Sequence, residues 1–255
     1  MGTEKSQDRP EVAFEFLSKE IGTLTINDAS NGNALTFRTV EQLIDNLGKI
    51  GTDPALKVLI LCGTEKVFCS GADKEMLKAL AAGKVAPADI RLAQHLLNLP
   101  IPVIAAMTGH AVGGGFAMGL CADIVLISKT SRYGFTFMNM GFTPGMGTTK
   151  LIENVVMPPL AHELLYTGQC KQGKEFIGKS GFNAIVESPE VFPLALDIAR
   201  QIAEKPRDSL VLLKRYLSLP KRRSFEETLT AEATMHEICF ARSDISRWID
   251  DGYAE

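Results

Sequence analysis

Two stretches of this chain hold residue types able to do chemistry with the main chain itself. Residues Ala105-Ala106-Met107-Thr108-Gly109-His110-Ala111-Val112-Gly113-Gly114-Gly115-Phe116 form one, and Phe68-Cys69-Ser70-Gly71-Ala72-Asp73 the other. In both, an apolar β-forming run ends in small residues and a helical pattern follows. The first N–H groups of such a helix have no intrahelical acceptor and sit at the positive end of its dipole. Groups of that kind hold an oxyanion. Three glycines after a strand also make a plain tight turn with close helix packing, and the triplet alone leaves both readings open.

Nucleotide binding fits less well, because no GxGxxG is present and Gly147-Thr148-Thr149-Lys150 lacks the Gly-Lys-Ser/Thr order of a P-loop. Among side chains, His236 stands out. Phe225, Leu229, Ala233, His236 and Phe240 recur at steps of four and three, which places this histidine on the apolar face of a C-terminal helix. A histidine there is either a packed core residue or a proton carrier. Glu237 beside it makes no zinc motif, since position 240 is Phe. Lys74 and Lys78 lie one helical turn apart, on one face. His110, beside the glycine turn, reads as a loop pin, and His95 and His162 as structural or exposed.

The elements that must position these residues follow from periodicity. Val12–Leu17 and Ile21–Ile26 read as a hairpin. Thr36 is an N-cap for a helix through Ile50, with Val40, Leu43, Ile44 and Leu47 at helical spacing. Lys57–Cys62, Pro102–Met107 and Ala122–Ile127 are apolar enough to be strands covered on both faces. Helices are expected from Ala72 to about Gly83, from Pro87 to Leu99, and around Phe116 to Leu120. The result is a repeated β-β-α cadence. From Met157 onward the pattern turns helical, with one apolar run at Ala184–Val186 and helices over Pro193–Glu204, Ser209–Leu217 and Phe225–Arg242. This tail is expected to hold no strands. With no linker visible, the whole chain, residues 1–255, reads as one domain, its core over about 11–190 and a helical region over about 191–255.

Composition bounds the function. The chain has 255 residues, is 45% hydrophobic and carries a net charge of -3. Its isoelectric point near 5.9 gives no basic field for nucleic acid or an anionic membrane. Five cysteines without a CxxC pair fit a reducing cytoplasm. No run approaches the roughly 18 apolar residues of a membrane span. Residues 1–10 read as a polar leader, and the loose myristoylation pattern at Gly2 to Ser6 as chance. No metal or cofactor is expected.

Taken in order, FCSGAD (68–73), IPVIAAMTGHAVGGGFAMGLCADIV (101–125) and GFTPGMGTT (141–149) make the chain resemble the crotonase family, the enoyl-CoA hydratase and isomerase superfamily. The resemblance runs from about Val12 to the C-terminus. It implies an α/β fold, a spiral of β-β-α repeats with a C-terminal helical extension, assembled as trimers or dimers of trimers. It also implies an oxyanion hole for a thioester carbonyl, and the matching amides are those of Ala72 and Gly114. Each preorganised donor at such a site is worth about 2.7 to 4 kcal/mol as charge develops on the oxygen.

The departures narrow the chemistry. Hydratases of the family use two glutamates, and the motifs align Ala117 and Phe137 with those positions. Neither residue can move a proton. Decarboxylation needs no base, because the departing carboxylate supplies the electrons. Met76, Phe137, Met138 and Phe142 would make an apolar substrate pocket, and Lys74 or Lys78 would bind the leaving carboxylate; Lys78 is the lysine put forward. Positions four and eight after Ala72, Met76 and Leu80, carry no charge.

The fuller strings are most similar to the decarboxylating second crotonase-like enzyme of polyketide β-branching cassettes. That resemblance implies a 3-methylglutaconyl thioester on the phosphopantetheine of an acyl carrier protein, or acyl-CoA, as substrate. It implies a 3-methylcrotonyl thioester or its β,γ isomer as product, and brings His236 near the acyl group as proton donor. Arg207, Lys214, Arg215, Lys221, Arg222 and Arg223 stand against Asp208 alone and would steer an acidic carrier, or form a solvated face. An enoyl thioester isomerase or hydratase, and a non-catalytic carrier-binding module, remain alternatives.

Overall fold

The computed structural model of the protein describes residues 10–85 and 90–253. The expected polar leader and the start of the helix after Pro87 lie outside the described residues. The chain opens with strands β1 (Val12–Phe16) and β2 (Ile21–Ile26), then helix α1 (Phe37–Thr52). Strands β3 (Val58–Cys62) and β4 (Val67–Cys69) precede helices α2 (Lys74–Ala81) and α3 (Leu92–Asn98). Next come β5 (Val103–Met107), β6 (His110–Val112), α4 (Gly114–Leu120), β7 (Ile124–Ser128) and β8 (Arg132–Gly134). A short helix α5 (Thr148–Leu151), helix α6 (Pro158–Thr167) and strands β9 (Cys170–Gln172) and β10 (Ala184–Val186) lead into the C-terminal helices. These are α7 (Ser188–Ala203), α8 (Arg207–Leu217), α9 (Leu219–Phe240) and α10 (Ile245–Gly252).

The strands form two sheets, ordered β1-β2-β3-β5-β7-β10 and β4-β6-β8-β9. The expected hairpin is present, with Val12 opposite Ile26 and Phe16 opposite Gly22. The opening hairpin lies wholly in the large sheet, and after it the pairs β3-β4, β5-β6 and β7-β8 each lay one strand in the large sheet and the next in the small sheet. That is the β-β-α cadence read from the sequence.

Alternation of side chains explains why β3 and β5 are apolar throughout. Leu59, Leu61, Val103, Ala105 and Met107 face the main core beneath α1, α3 and α4. Val58, Ile60, Ile104 and Ala106 face the other way, where Val191, Ala195 and Ala199 of α7 cover them. Thr36 caps α1 as expected, its Oγ1 accepting from the Thr39 N–H at 3.0 Å.

Three expectations need correction. The tail holds two strands, β9 in the small sheet and β10 at the edge of the large one. Helix α7 begins five residues before Pro193, because Glu187 and Glu190 form a capping box there and the proline is tolerated inside. Helix α10 was not expected. Its signal is Ile245, Trp248 and Ile249 at helical spacing, and both isoleucines are buried.

Candidate active site

The small sheet brings the two glycine turns together. Strands β4, β6 and β8 are parallel neighbours, so their C-terminal ends share one edge. Three segments leave that edge side by side: Ala72 after β4, Gly114 after β6, and Phe137 after β8.

Both turns use the same device. Gly71 has φ +89 and Gly113 has φ +54, conformations that β-carbons disfavour. In each case the next residue, Ala72 or Gly114, presents its N–H. Leu35 brackets Ala72 as in a parallel ladder, donating to the Gly71 carbonyl at 2.8 Å and accepting from the Asp73 N–H at 3.3 Å. The Ala72 N–H therefore points to the opposite side. Gly114 is the first residue of α4, where no intrahelical acceptor exists. Among the described residues neither N–H finds a protein acceptor. The turns are in contact: a β-carbon on Gly71 would lie 3.2 Å from the Gly114 nitrogen, and one on Gly114 would lie 3.9 Å from the Ala72 nitrogen.

The surroundings are apolar. A β-carbon on Gly114 would meet Leu35 Cδ1 and Met146 Sδ, each at 3.2 Å. Ala117 is fully buried in α4. Phe137 packs beside Gly113, stacked on Phe135 at 5.9 Å and edge-on to Phe142 at 5.9 Å. Phe142 continues the wall to Phe240 at 5.3 Å and to the His236 ring at 6.2 Å. Met76 is buried in the same core. Met138 is not part of this wall: it is 40% exposed, and Met140 takes the buried place. Cys69, behind the first turn, has its thiol pushed up to about 12 by burial, so it is no nucleophile.

His236 joins this wall through the 141–149 segment. Its ring is buried, its Nε2 bonds the Thr143 carbonyl at 2.8 Å, and its Nδ1 has no partner. A carbonyl only accepts, so Nε2 carries the hydrogen and the neutral ring leaves Nδ1 bare. Burial holds the imidazole below its usual range, partly offset by the neighbouring Thr143 and Pro144 carbonyls. Gly145 makes room for the ring, since a β-carbon there would come within 2.8 Å of Cε1. Next to Gly145 stands Met146, a non-glycine residue at φ +60, whose sulfur reaches Gly114. A cavity of about 580 Å³ opens along α2 and α9, lined by Leu80, Ala81, Ala233, His236, Glu237 and Phe240.

Glu232, one turn before His236, was missed in the sequence. It is 2% exposed and accepts from the N–H groups of Gly147 at 2.7 Å and Thr149 at 3.1 Å and from the Thr149 hydroxyl at 2.8 Å. With its acceptors thus used, it clamps the 145–149 turn to α9. An acid at helical spacing from a buried histidine, opposite a glycine-rich turn, was the available signal.

The lysines go elsewhere. Nζ of Lys74 and of Lys78 lie 2.6 and 2.8 Å from Asp250 Oδ1 on α10. Lys78 is 45% exposed and does not line the cavity with His236. Helix α10 also reaches both site walls, as the Tyr253 hydroxyl donates to the Ala72 carbonyl and Trp248 packs on Gly141.

Three of the six basic residues between Arg207 and Arg223 are held inside the fold. Arg207 donates to the Leu56 and Asp53 carbonyls, buried Lys214 pairs with Asp123 at 2.6 Å, and Lys221 donates to the Leu120 and Ala122 carbonyls. These three tie α8 and α9 to the core. His110 pins its loop as expected, Nδ1 accepting from the Arg132 N–H at 2.9 Å. His162 is exposed beside Glu153.

Two adjacent turns with free amides on a spiral of β-β-α repeats define an acyl-thioester enzyme fold. The chain belongs to the enoyl-CoA hydratase/isomerase family, whose model matches residues 17–255. It is 36% identical over 228 residues to the bacillaene synthase decarboxylase PksI of Bacillus subtilis, covering 89% of this chain and 92% of that protein. It is 29% identical over 241 residues to the crotonyl-CoA hydratase of Syntrophomonas wolfei, covering 91% and 93%. Among solved structures, a member of a dehydratase/decarboxylase couple involved in polyketide β-branching superposes with a TM-score of 0.92 at 35% identity, over 96% of this chain and 100% of that one. The ECH2 decarboxylase domain of CurF from Lyngbya majuscula superposes at 0.87 with 33% identity, over 95% and 99%.

Proposed function

We propose that this chain decarboxylates a 3-methylglutaconyl-type thioester in polyketide β-branching, with the acyl group carried on the phosphopantetheine of an acyl carrier protein. The thioester oxygen accepts from the Ala72 and Gly114 N–H groups. The bond between the γ-carbon and its carboxylate breaks, carbon dioxide leaves, and the electron pair spreads into a dienolate held by the two amides. One proton then closes the valence at carbon, from His236 or from a water.

The observation that carries this reading is the combination of two amides free of protein acceptors with walls at Ala117 and Phe137 that hold no acid or base. Stabilisation of a dienolate is available there. Water addition by paired carboxylates is not. The decarboxylases among its relatives support the same reaction.

For assembly we infer a homotrimer or dimer of trimers. Leu212, Leu213, Tyr216 and Leu217 of α8 are all more than half exposed and offer an apolar face to a second copy. A cytoplasmic location is supported by five free cysteines. Among the described residues no helix is long and apolar enough to cross a membrane.

The test is intact-mass analysis of 3-methylglutaconyl-carrier protein incubated with the enzyme. Loss of one carbon dioxide is expected. Unchanged mass with a migrated double bond means an isomerase, gain of water a hydratase, and binding without reaction a carrier-binding module.

A further inference from the structure

Two non-glycine residues among the described ones hold positive φ, Asn33 at +54 and Met146 at +60. Asparagine tolerates this region, and the buried side-chain amide of Asn33 accepts from the Asp28 N–H at 2.8 Å and donates to the Val67 carbonyl at 2.7 Å. Met146 has no such compensation, because an unbranched apolar side chain gains nothing from a left-handed backbone. Strain of this kind persists only where the surroundings impose it.

The surroundings of Met146 do impose it. Gly145 to Thr148 form a tight turn closed by the Thr148 N–H on the Gly145 carbonyl at 3.2 Å, with positive φ at both central residues, Met146 and Gly147. That is the pattern of a type I′ turn, in which glycine, asparagine or aspartate favours the place Met146 occupies. Glu232 holds the turn through the Gly147 and Thr149 N–H groups at 2.7 and 3.1 Å. Phe225 closes the other flank, since a β-carbon on Gly147 would overlap its ring.

The constrained backbone sends the Met146 side chain to one place. Its Sδ lies 3.2 Å from where a β-carbon on Gly114 would stand, with Leu35 Cδ1 at the same distance and the Ala72 nitrogen at 3.9 Å. Sulfur and leucine methyl therefore flank the residue whose N–H, with that of Ala72, is proposed to hold the thioester oxygen. Met146 is itself partly buried against the main core. An apolar group at this point fixes the Gly114 peptide and takes the volume from which water would compete for the amides. Hydrogen bonds to a developing oxyanion are stronger where water is excluded.

We propose that Met146 is a positioning residue of this reaction, its sulfur packed on Gly114 to fix that amide and keep water from the pair. The inference rests on the reading of Ala72 and Gly114 as the oxyanion donors. It accounts for a methionine standing where the turn itself would favour another residue.

The experiment uses isovaleryl-pantetheine isotopically labelled at its carbonyl carbon, a thioester with no carboxylate to lose, and reads the carbonyl stretch by isotope-edited infrared spectroscopy. Binding to the wild type is expected to lower that frequency, as hydrogen bonds from both amides polarise the carbonyl. Met146→Gly suits the backbone and removes only the side chain, and it should lose most of the lowering. On 3-methylglutaconyl-carrier protein its kcat should fall about 10- to 100-fold, with KM within about threefold, because the contact acts in the transition state. Met146→Leu, which restores apolar bulk, should recover most of both readouts. Wild-type lowering and kcat in Met146→Gly, a raised KM at unchanged kcat, or a Met146→Leu as impaired as Met146→Gly each overturn the assignment. No lowering in the wild type overturns the oxyanion reading beneath it. The decarboxylase reading fails separately, if the lowering is present and no carbon dioxide is released.

Discussion

A β-carbon on Gly71 would stand 2.8 Å from the Val112 carbonyl oxygen and 3.2 Å from the Gly114 nitrogen, so each of the two glycine turns is the other's packing surface. Gly71→Ala therefore does two things. It strains a backbone at φ +89, and it pushes apart the two amides proposed to share the thioester oxygen. The expected cost is about 1–3 kcal/mol in stability. Turnover should fall about 10²- to 10³-fold, as when one oxyanion donor is lost. Gly178→Ala is the control, since Gly178 also has positive φ but nothing within 4 Å; it should lose stability and keep turnover. Thermal melts and single-turnover rates separate the two effects.

Glu232 governs a pH-dependent part of stability. Burial raises its carboxyl above the usual range, against the pull of the Thr149 and Gly147 bonds. Between the ordinary carboxylate range and that raised value the folded state holds the proton and the unfolded state has released it. Stability therefore falls as pH rises through that window. In Glu232→Gln this slope should flatten, as read from urea midpoints across pH. Glu232→Ala should cost about 3 kcal/mol at neutral pH by leaving buried donors of the 147–149 turn unpaired.

His236 runs the other way. Its imidazole is held below the usual range by burial, and Glu237 is the other titratable group lining the same cavity. The folded state resists protonation that the unfolded chain accepts, so stability declines as pH drops from the ordinary imidazole range toward the lowered value. Urea midpoints measured across that range read the slope, which should flatten in His236→Gln.

Lys78→Met tests the lysine that the sequence put forward. With Nζ bound to Asp250 rather than lining the cavity, its loss should change turnover by less than about threefold. A larger drop restores Lys78 as a carboxylate ligand.

The large sheet was legible because β3 and β5 are five-residue apolar runs whose two faces both pack. The small sheet was not. Its strands β4, β6, β8 and β9 are three residues each, too short to show a period, and β4 pairs with β6 through a register shift. Yet the glycine motifs that end β4 and β6 marked the edge of that sheet where the Ala72 and Gly114 amides stand side by side, without the strands being seen. The place of His236 on a buried helix face was legible from helical spacing, whereas the clamp made by Glu232 was not, because its contacts lie 83–85 residues away in sequence. The internal role of three residues of the basic segment was hidden for a related reason. Composition counts Arg207, Lys214 and Lys221 as surface charge, and only the fold shows their donors taken by Asp123 and main-chain carbonyls.

Release of labelled carbon dioxide from 3-methylglutaconyl-carrier protein, labelled at its free carboxyl, tests the central claim most directly. One labelled carbon dioxide per acyl chain is expected from the wild type, with strongly slowed release from Gly71→Ala. Label retained in the thioester after the wild-type enzyme has isomerised or hydrated it would contradict the account.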